Sequence, residues 1–186
     1  MGLRPLEVSD GSAWREIRAR NAEWLTPGEA TMPPGAGAVP RSYRGLVREL
    51  RRHAKQGRAM PFALTVDDEF AGQLTVGNIV GGSARFGSIG YWIDEAYAGQ
   101  GITPTAVAMA IDHCFFVAGL HRIEIAIRPE NTASLRVVEK LGIPEIGFAP
   151  RYLHISGAWR DHRLFAITVE DCPGGVLRRW LARETS

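Results

Sequence analysis

The spacing of apolar residues along the chain changes near Pro61 from a helical period to a strand period. Upstream of Pro61, apolar side chains recur every three or four positions in two stretches. This spacing predicts a first helix from about Ser9 to Leu25 and a second helix over residues 42–56. Between the two helices, residues 27–40 are rich in proline and glycine, which predicts an irregular and mobile loop.

Downstream of Pro61, apolar and polar side chains alternate in several short runs, as they do on half-buried strands. Runs with helical spacing separate these strands, and Gly119 and Gly142 lie where two of the helices should end. The predicted elements are, in chain order, strands at 61–66, 70–80 and 86–94, a helix at 105–118, a strand at 123–127, a helix at 132–141, and strands at 145–156 and 158–170. This order predicts a mixed sheet with helices on both sides.

Length and composition predict a globular protein with a single domain over residues 1–186. Of the 186 residues, 45% are hydrophobic and 23% are charged, and the net charge is +2. The longest apolar run, residues 105–120, contains Asp112 and His113 and is too short to span a bilayer. The N-terminus lacks the apolar region of a signal peptide. We therefore expect a cytoplasmic protein with no membrane partner and, given the small charge, no direct nucleic-acid partner.

The two cysteines, Cys114 and Cys172, have no metal-ligand spacing relative to the histidines, so we expect no metal site. Cys114 falls on the apolar face of the helix predicted at 105–118. A buried thiol is therefore favoured over a nucleophile or a disulfide.

The segment from Tyr97 to Pro104 carries the strongest chemical signal, because it joins a predicted strand to a predicted helix and contains Gly99 and Gly101. Glycine lets backbone N–H groups approach an anion closely, and the dipole of the following helix adds partial positive charge. A tight strand-to-helix turn also favours glycine for steric reasons alone. A second strand, polar turn and helix follows over residues 121–142, and the two units in tandem indicate a nucleotide-cofactor site.

Motifs spread over nearly the whole chain carry a resemblance to a known family. They are Leu3-Arg4-Pro5-Leu6, Arg20-Asn21, Trp24-Leu25, Gly90-Tyr91-Trp92-Ile93, Gly99-Gln100-Gly101, Arg122-Ile123-Glu124, Asn131-Thr132-Ala133-Ser134, Lys140-Leu141-Gly142 and the run from Gly157 to His162. The sequence resembles the GNAT superfamily of acyl-CoA N-acyltransferases and, within it, the RimJ/RimL type of ribosomal-protein N-terminal acetyltransferases. The resemblance implies an α/β (α+β) fold with a mixed, mostly antiparallel sheet of about seven strands. This sheet would be splayed where two central strands part and flanked by helices on both faces.

The resemblance also implies that the cofactor is acetyl-CoA, bound in the gap between the parted strands. The strand with Trp92 and Ile93 would pair with the pantetheine amides, and the following loop would hold the pyrophosphate. The implied cofactor-binding residues are Trp92, Ile93, Ala98, Gly99, Gln100, Gly101, Ile102, Thr103, Asn131 and Ser134. Two positions depart from the family pattern: Ala96 stands where many members have Arg or Gln, and Thr105 where they often have Glu. Neither departure touches the backbone cradle, so we expect acetyl-CoA binding to survive both.

Acyl transfer to an amine requires a neutral nucleophile, a stabilised oxyanion and protonation of a departing thiolate. An N-terminal α-amine has a pKa of roughly 7.7–8.0, so part of it is already neutral at pH 7 and a dedicated base is not required. A backbone N–H on the cofactor-binding strand can polarise the thioester oxygen. The resemblance places Ser134, three residues after Asn131, as the catalytic proton donor to the thiolate. A serine in the first turn of a helix can also serve only to satisfy backbone donors.

No general base stands out from the sequence. Glu124 shares a strand face with Arg122 and Arg128, which favours a structural ion pair over proton abstraction. His154 lies on the last hairpin, near where the acceptor enters in the family. The expected acceptor-binding residues are Asn21, Trp24, Tyr91 and Tyr152, although aromatic side chains at helical spacing more often belong to a core.

The leading hypothesis is an acetyl-CoA-dependent N-acetyltransferase that acts on the N-terminal amine of a protein by direct attack in a ternary complex, with ribosomal proteins as the first candidates. The alternatives are an acetyltransferase of a small amine, such as an antibiotic or a polyamine, and a non-catalytic acyl-CoA-binding module. The helix at 42–56 has a basic outer face, which fits either a solvated surface or a site for an acidic or RNA-rich partner. Its basic residues are Arg44, Arg48, Arg51, Arg52 and Lys55. The sequence leaves the oligomeric state open.

Overall fold

Seven strands form a single sheet in the computed structural model, which describes residues 1–36 and 42–184. In chain order they are β1 (Gly2–Pro5), β2 (Met60–Val66), β3 (Glu69–Val80), β4 (Phe86–Ile93), β5 (Arg122–Ile127), β6 (Glu145–Ile155) and β7 (Ala158–Thr168). Their spatial order is β1-β2-β3-β4-β5-β7-β6, and all neighbouring pairs are antiparallel except β4 and β5. The predicted mixed, mostly antiparallel sheet is confirmed.

Helices cover both faces of the sheet, as predicted. They are α1 (Gly11–Arg20), the short α2 (Ala22–Leu25), α3 (Tyr43–Lys55), α4 (Ile102–Phe116), α5 (Thr132–Leu141) and α6 (Val176–Glu184). One core, on the face that α1 and α3 cover, contains Leu6, Ile17 and Val47, and the other, which includes residues of α4, α5 and α6, contains Ile111 and Val138. Burial of apolar surface on both faces stabilises the sheet from either side. In the described ranges, no helix combines the length and the apolar character needed to cross a membrane.

The basic outer face predicted for α3 is present. Ser42 caps the helix by accepting from the Gly45 amide at 3.2 Å, and Arg44, Arg48 and Arg52 are exposed. Arg51 also serves the fold, because its guanidinium donates to the Leu6 carbonyl at 3.0 Å.

The two predicted hairpins are confirmed, and their turns follow from their sequences. Asp67 and Asp68, with φ of 50° and 65°, join β2 to β3. Ser156 and Gly157, with φ of 49° and 82°, join β6 to β7. Two-residue turns with positive φ at both positions match the right-handed twist of the strands and favour Asp, Asn and Gly.

The two central strands part soon after they begin to pair. In the described chain, β4 pairs in parallel with β5 over its residues 86–88 and no further. On its other side β4 stays paired with β3, and the Asp94 amide donates to the Ala71 carbonyl at 2.8 Å. Because backbone groups alternate sides along a strand, those of Tyr91 and Ile93 point away from β3. They face the gap, and the predicted splay is confirmed.

Three elements differ from the sequence prediction. The first predicted helix is interrupted at Asn21, whose φ of −104° and ψ of 23° are not helical, so α1 and α2 are separate. The sequence analysis also missed β1, which has four residues and ends in Pro5, and α6. α6 begins where the Asp112 carboxylate of α4 accepts from the amides of Val176 at 2.6 Å and Leu177 at 3.2 Å. A cap supplied by another helix leaves no local sequence signal.

The loop predicted at 27–40 is anchored where the structure describes it next to β6. Ala30 forms an isolated β-bridge with Ile155, and the Thr31 amide donates to the His154 carbonyl at 2.8 Å. Residues 37–40 lie outside the described residues. β6 thus supplies hydrogen-bond partners to Ala30 and Thr31 that the local composition does not reveal.

A buried carboxylate joins α1 to the end of β4. Asp94 is 1% exposed, and its Oδ1 accepts from Nδ2 of Asn21 at 2.9 Å and from the Ala96 amide at 3.2 Å. Its Oδ2 is paired with Arg20, and Oδ1 of Asn21 accepts from the Glu95 amide at 3.2 Å. Burial favours the neutral acid, but the hydrogen bonds outweigh it and hold the pKa of Asp94 below its ordinary value. The cluster holds Asn21, where α1 ends, against the turn that follows β4.

Replacing Asn21 by alanine should lower the free energy of unfolding by about 1–3 kcal/mol, because the buried carboxylate and the Glu95 amide each lose a partner. Urea denaturation at neutral pH measures this change. The control is Glu23→Ala at an exposed position of α2, which should change stability by less than about 0.5 kcal/mol. Equal stability of the two variants would contradict the structural role of the cluster.

Candidate active site

A tight loop connects β4 to α4. After Asp94, Glu95–Tyr97 form a 3-10 turn, and Gly99 and Gly101 then take left-handed conformations with φ of 80° and 76°. Residues with side chains rarely adopt such φ values, so the two glycines allow the turn. Gly101 is the N-cap residue of α4, which begins at Ile102. A Cβ on Gly99 would meet only open space.

The loop and the first turn of α4 present unpaired backbone amides. The Ala98 amide is used within the loop, where it donates to the Glu95 carbonyl at 2.9 Å. Within residues 1–36 and 42–184, the amides that follow donate to no protein acceptor, and they belong to Gly99, Gln100, Gly101, Ile102 and Thr103. All of these residues are exposed or half-buried. Free N–H groups at the positive end of a 15-residue helix fit the diphosphate of a coenzyme.

The β4 side of the gap offers backbone groups, but not those of Trp92. Trp92 pairs with β3, and its ring packs on Phe70 in the core that α1 and α3 cover. Tyr91 and Ile93 instead turn their backbone groups toward the gap. The Ile93 carbonyl accepts from Nε1 of Trp24 at 3.3 Å, which leaves the Ile93 amide for a ligand. The structure thus does not bring Trp92 to the gap, where its cofactor contact was expected.

Ser134 lies in the first turn of α5, close to Tyr91. Asn131 caps this helix, since its Oδ1 accepts from the Ser134 amide at 3.0 Å. The Tyr91 hydroxyl is buried and has no well-formed hydrogen bond. Burial raises the pKa of Tyr91 to about 12, and the neighbouring Ser134 hydroxyl acts in the opposite direction with a smaller effect. Two neutral hydroxyls therefore meet between β4 and α5.

Residues 26–31 bring the end of α2 against the start of α5. Arg128, just after β5, donates to the Pro27 carbonyl. A Cβ on Gly28 would lie 3.7 Å from Nδ2 of Asn131. This segment can therefore form one wall of an acceptor site beside α5.

β6 carries a bulge next to this region. Its register with β7 shifts within residues 149–153, where Arg151 takes a left-handed φ of 49°. The Asp161 carboxylate holds the bulge by accepting from the Arg151 amide at 2.7 Å. Tyr152 is 45% exposed, and its ring meets the His162 ring edge-on with centroids 5.7 Å apart. Bulges redirect side chains and are frequent beside active sites.

The residues expected to bind the acceptor have different environments. Asn21 is buried and uses both of its amide protons in hydrogen bonds, to the Ile17 carbonyl and to Asp94 at the start of the phosphate loop, residues 95–103. Trp24 is 38% exposed beside the gap, and Tyr152 lies at the bulge. The expected ion pair between Arg122 and Glu124 is confirmed, with Nε and Oε1 2.7 Å apart.

Neither thiol contributes to the gap. Cys114 and Cys172 are both buried, and burial raises the pKa of Cys114 to about 12, so this thiol stays protonated at pH 7. The expected buried thiol at Cys114 is confirmed. Across the described residues, no cluster of His, Cys, Asp or Glu side chains could hold a metal ion.

Sequence reasoning missed the roles of Thr105 and His162. Thr105 donates from Oγ1 to the Gly101 carbonyl at 2.8 Å and accepts from Nε1 of Trp180 at 2.9 Å. Thr105 thereby connects α6 to the phosphate loop. These two hydrogen bonds explain why threonine suits this position, where family members often have glutamate. His162 is 2% exposed on β7. In the sequence, His162 could have been noticed as a histidine within the alternating pattern of a predicted strand.

Comparison with known proteins gives consistent matches in sequence and structure. Residues 1–143 match the model of the acetyltransferase (GNAT) domain. The chain is 32% identical to ribosomal protein uS5-alanine N-acetyltransferase of Escherichia coli, over 90% of this chain and 88% of that protein. It is 30% identical to the probable N-acetyltransferase YjcK of Bacillus subtilis, over 91% and 94% of the two chains. The structure superimposes on Mycobacterium smegmatis RimJ in complex with CoA-disulfide with a TM-score of 0.91 and 42% identity, covering 98% of this chain and 88% of that one.

The local geometry agrees with these matches. The free amides at residues 99–103 fit a coenzyme diphosphate, and the parted strands leave room beside them for an extended ligand. The hydroxyls of Tyr91 on β4 and Ser134 on α5 are neighbours. The chain belongs to the GNAT family and is an acetyl-CoA-dependent N-acetyltransferase.

Proposed function

We propose that the enzyme acetylates the N-terminal α-amine of a protein, with ribosomal proteins as the first candidates. The Escherichia coli relative named above is an alanine N-acetyltransferase of ribosomal protein uS5, and a structural match of 31% identity from Vibrio fischeri is a ribosomal-protein-S5-alanine acetyltransferase. A ribosomal acceptor would place the reaction in the cytoplasm. The observation that carries the proposal is the similarity to these two enzymes over about 90% of the chain, and the free amides at residues 99–103 support the use of acetyl-CoA.

The chain holds its cofactor mainly through backbone groups. The amides of Gly99, Gly101 and Ile102 would bind the diphosphate, while the Tyr91 and Ile93 backbone groups would pair with the pantetheine amides. Acetyl-CoA supplies an acetyl thioester that is activated for attack by an amine. Backbone donors need no reorganisation to serve an anion, because the fixed turn already orients them.

Ser134 is the proposed proton donor for the departing sulfur. Its hydroxyl is neutral, so it holds a proton at Oγ without adding charge to the gap. The hydrogen bond from its amide to Asn131 fixes the first turn of α5 and therefore the position of Oγ. The neighbouring Tyr91 hydroxyl can orient Oγ and, with its pKa near 12, stays protonated while doing so.

The charges around residues 26–31 favour a peptide over a polyamine. Glu29 pairs with Arg18, and Glu130 pairs with Arg128 at 3.1 Å, so these carboxylates are already neutralised. A polycation such as spermidine, the substrate in the name of an Escherichia coli relative 28% identical over 112 residues, would gain most from unpaired carboxylates. A peptide brings a single terminal ammonium and an otherwise neutral backbone.

Gly99→Ala should weaken CoA binding about tenfold or more, because a side chain strains the left-handed turn by roughly 1–3 kcal/mol and its Cβ stands beside the free amides. Calorimetric titration with CoA measures the effect. Gly57→Ala is the matched control, since Gly57 also has positive φ, at 67°, and open space around its Cβ position. That variant should lose similar stability while keeping the wild-type Kd. If the two variants bind CoA with equal Kd values, the free amides at residues 99–103 are not the diphosphate site.

Ser134→Ala should lower kcat by roughly 10²- to 10⁴-fold, the usual range for loss of an acid catalyst, with the CoA Kd unchanged. The rate is followed as free thiol released in the presence of an acceptor peptide. Ser12→Ala, at an exposed position of α1, should keep wild-type activity. If Ser134→Ala keeps wild-type turnover across the pH range, Ser134 is not the acid.

An acceptor panel separates the three hypotheses for function. We expect thiol release with peptides that have a free N-terminal alanine or serine, and none with the same peptides when the terminus is blocked and only an internal lysine is free. Turnover of spermidine without turnover of any peptide would overturn the proposed acceptor. CoA binding without turnover of any amine would indicate a non-catalytic module.

A further inference from the structure

The strongest unexplained group in the structure is the imidazole of His162. It lies on β7 opposite Ala149 of β6 and is 2% exposed. The mechanism described above does not use it. Burying a polar ring costs free energy unless its polar atoms form hydrogen bonds, so each ring nitrogen needs a partner.

Only one of the two nitrogens has a protein partner. Nδ1 lies 3.0 Å from the Arg160 carbonyl, and since a carbonyl can only accept, Nδ1 must carry the proton. In a neutral imidazole this leaves a lone pair on Nε2. Nε2 bonds to no other described residue, and it is absent from the sealed, unpartnered polar atoms such as the Tyr91 hydroxyl. Among the described residues, Nε2 is therefore free to accept a hydrogen bond or a proton from a ligand.

The surroundings of His162 keep the ring neutral. Burial lowers its pKa from the ordinary value of 6.5, and the positive charge of Arg128 acts in the same direction. The Arg160 carbonyl and the carboxylates of Glu130 and Asp161 act in the opposite direction without reversing the result. At pH 7 the ring is thus mostly neutral, and the Tyr152 ring on β6 packs edge-on against it.

The position of His162 connects it to the acceptor side of the gap. Arg128, whose charge reaches His162, also holds the Pro27 carbonyl, and the neighbouring Gly28 lies against Asn131 at the start of α5. The same end of the sheet therefore carries His162, the wall formed by residues 26–31, and the helix that presents Ser134.

We propose that Nε2 of His162 accepts the proton that the acceptor's ammonium must lose before its nitrogen can attack, an assignment that rests on the proposed N-terminal acetylation. One N–H bond of the ammonium breaks as the Nε2–H bond forms, directly or through one water molecule. The resulting imidazolium returns the proton to solvent. The step is useful because an α-amine with a pKa of roughly 7.7–8.0 is mostly protonated at pH 7.

The test uses His162→Asn, whose amide can still donate to the Arg160 carbonyl but cannot take up a proton. We expect kcat/KM for an N-terminal peptide at pH 7 to fall by about 10²-fold or more, while the CoA Kd stays unchanged. In the wild type, kcat/KM should rise with pH through a limb below pH 6.5, where the imidazole loses its proton. The variant should instead follow the free-amine fraction, so its kcat/KM should rise about tenfold per pH unit up to the α-amine's pKa of roughly 7.7–8.0, with no break where the imidazole titrates. His121→Gln, at the opposite end of β5 and paired with Glu170, is the control and should keep the wild-type profile.

A second measurement does not depend on activity. Nitrogen NMR of the histidine rings in the wild type should show the neutral ring of His162 protonated at Nδ1, with a pKa below 6.5. A proton on Nε2 of the neutral ring would overturn the proposal, as would a His162→Asn variant whose pH profile keeps the wild-type break below pH 6.5. These outcomes differ from failure of the proposed function, in which the wild type itself would acetylate no peptide.

Discussion

β4 and β5 stop pairing after Ser88, and the backbone groups that a continued ladder would satisfy are left to other partners. The Trp24 indole takes the Ile93 carbonyl, and the Tyr91 ring packs into the core under the gap. Both faces of the sheet stay covered, so the strands can part without opening either hydrophobic core. The gap is thus a stable feature of the fold, and a ligand with amide groups can supply the missing hydrogen bonds.

The phosphate loop can keep its amides free because both of its ends are held. At the β4 end, the Asp94 carboxylate binds Arg20, Asn21 and the start of the loop. At the α4 end, Thr105 joins the Gly101 carbonyl to Trp180 of α6. Exposed amides between two fixed points can exchange water for phosphate without a change of backbone conformation, which lowers the entropic cost of binding. The Asp94 cluster also links the cradle to the end of α1.

The sequence predicted the features that depend on local patterns. Alternation gave the two hairpins, and the positions of Asn131 and Gly142 gave the bounds of α5. The missed elements depend on distant partners: β1 is a short edge strand paired with β2, and α6 starts on the Asp112 carboxylate of α4. The environments of Trp92 and Asn21 also depend on distant partners, because Trp92 pairs with β3 and Asn21 is buried against Asp94.

The same distinction explains why the cofactor could be inferred from sequence more firmly than the acceptor. The cradle is built from consecutive residues whose glycines have a direct steric meaning, so its signal survives in a single segment. The proposed acceptor side is assembled from pieces far apart in the chain: Arg128 after β5 holds Pro27, Ser156 in the last turn holds Thr26, and the bulge in β6 sets Tyr152 against His162. Each piece has an ordinary local sequence. These residues come together only in the folded chain. A change at any of the three contacts should therefore alter acceptor preference while the acetyl-CoA site stays intact.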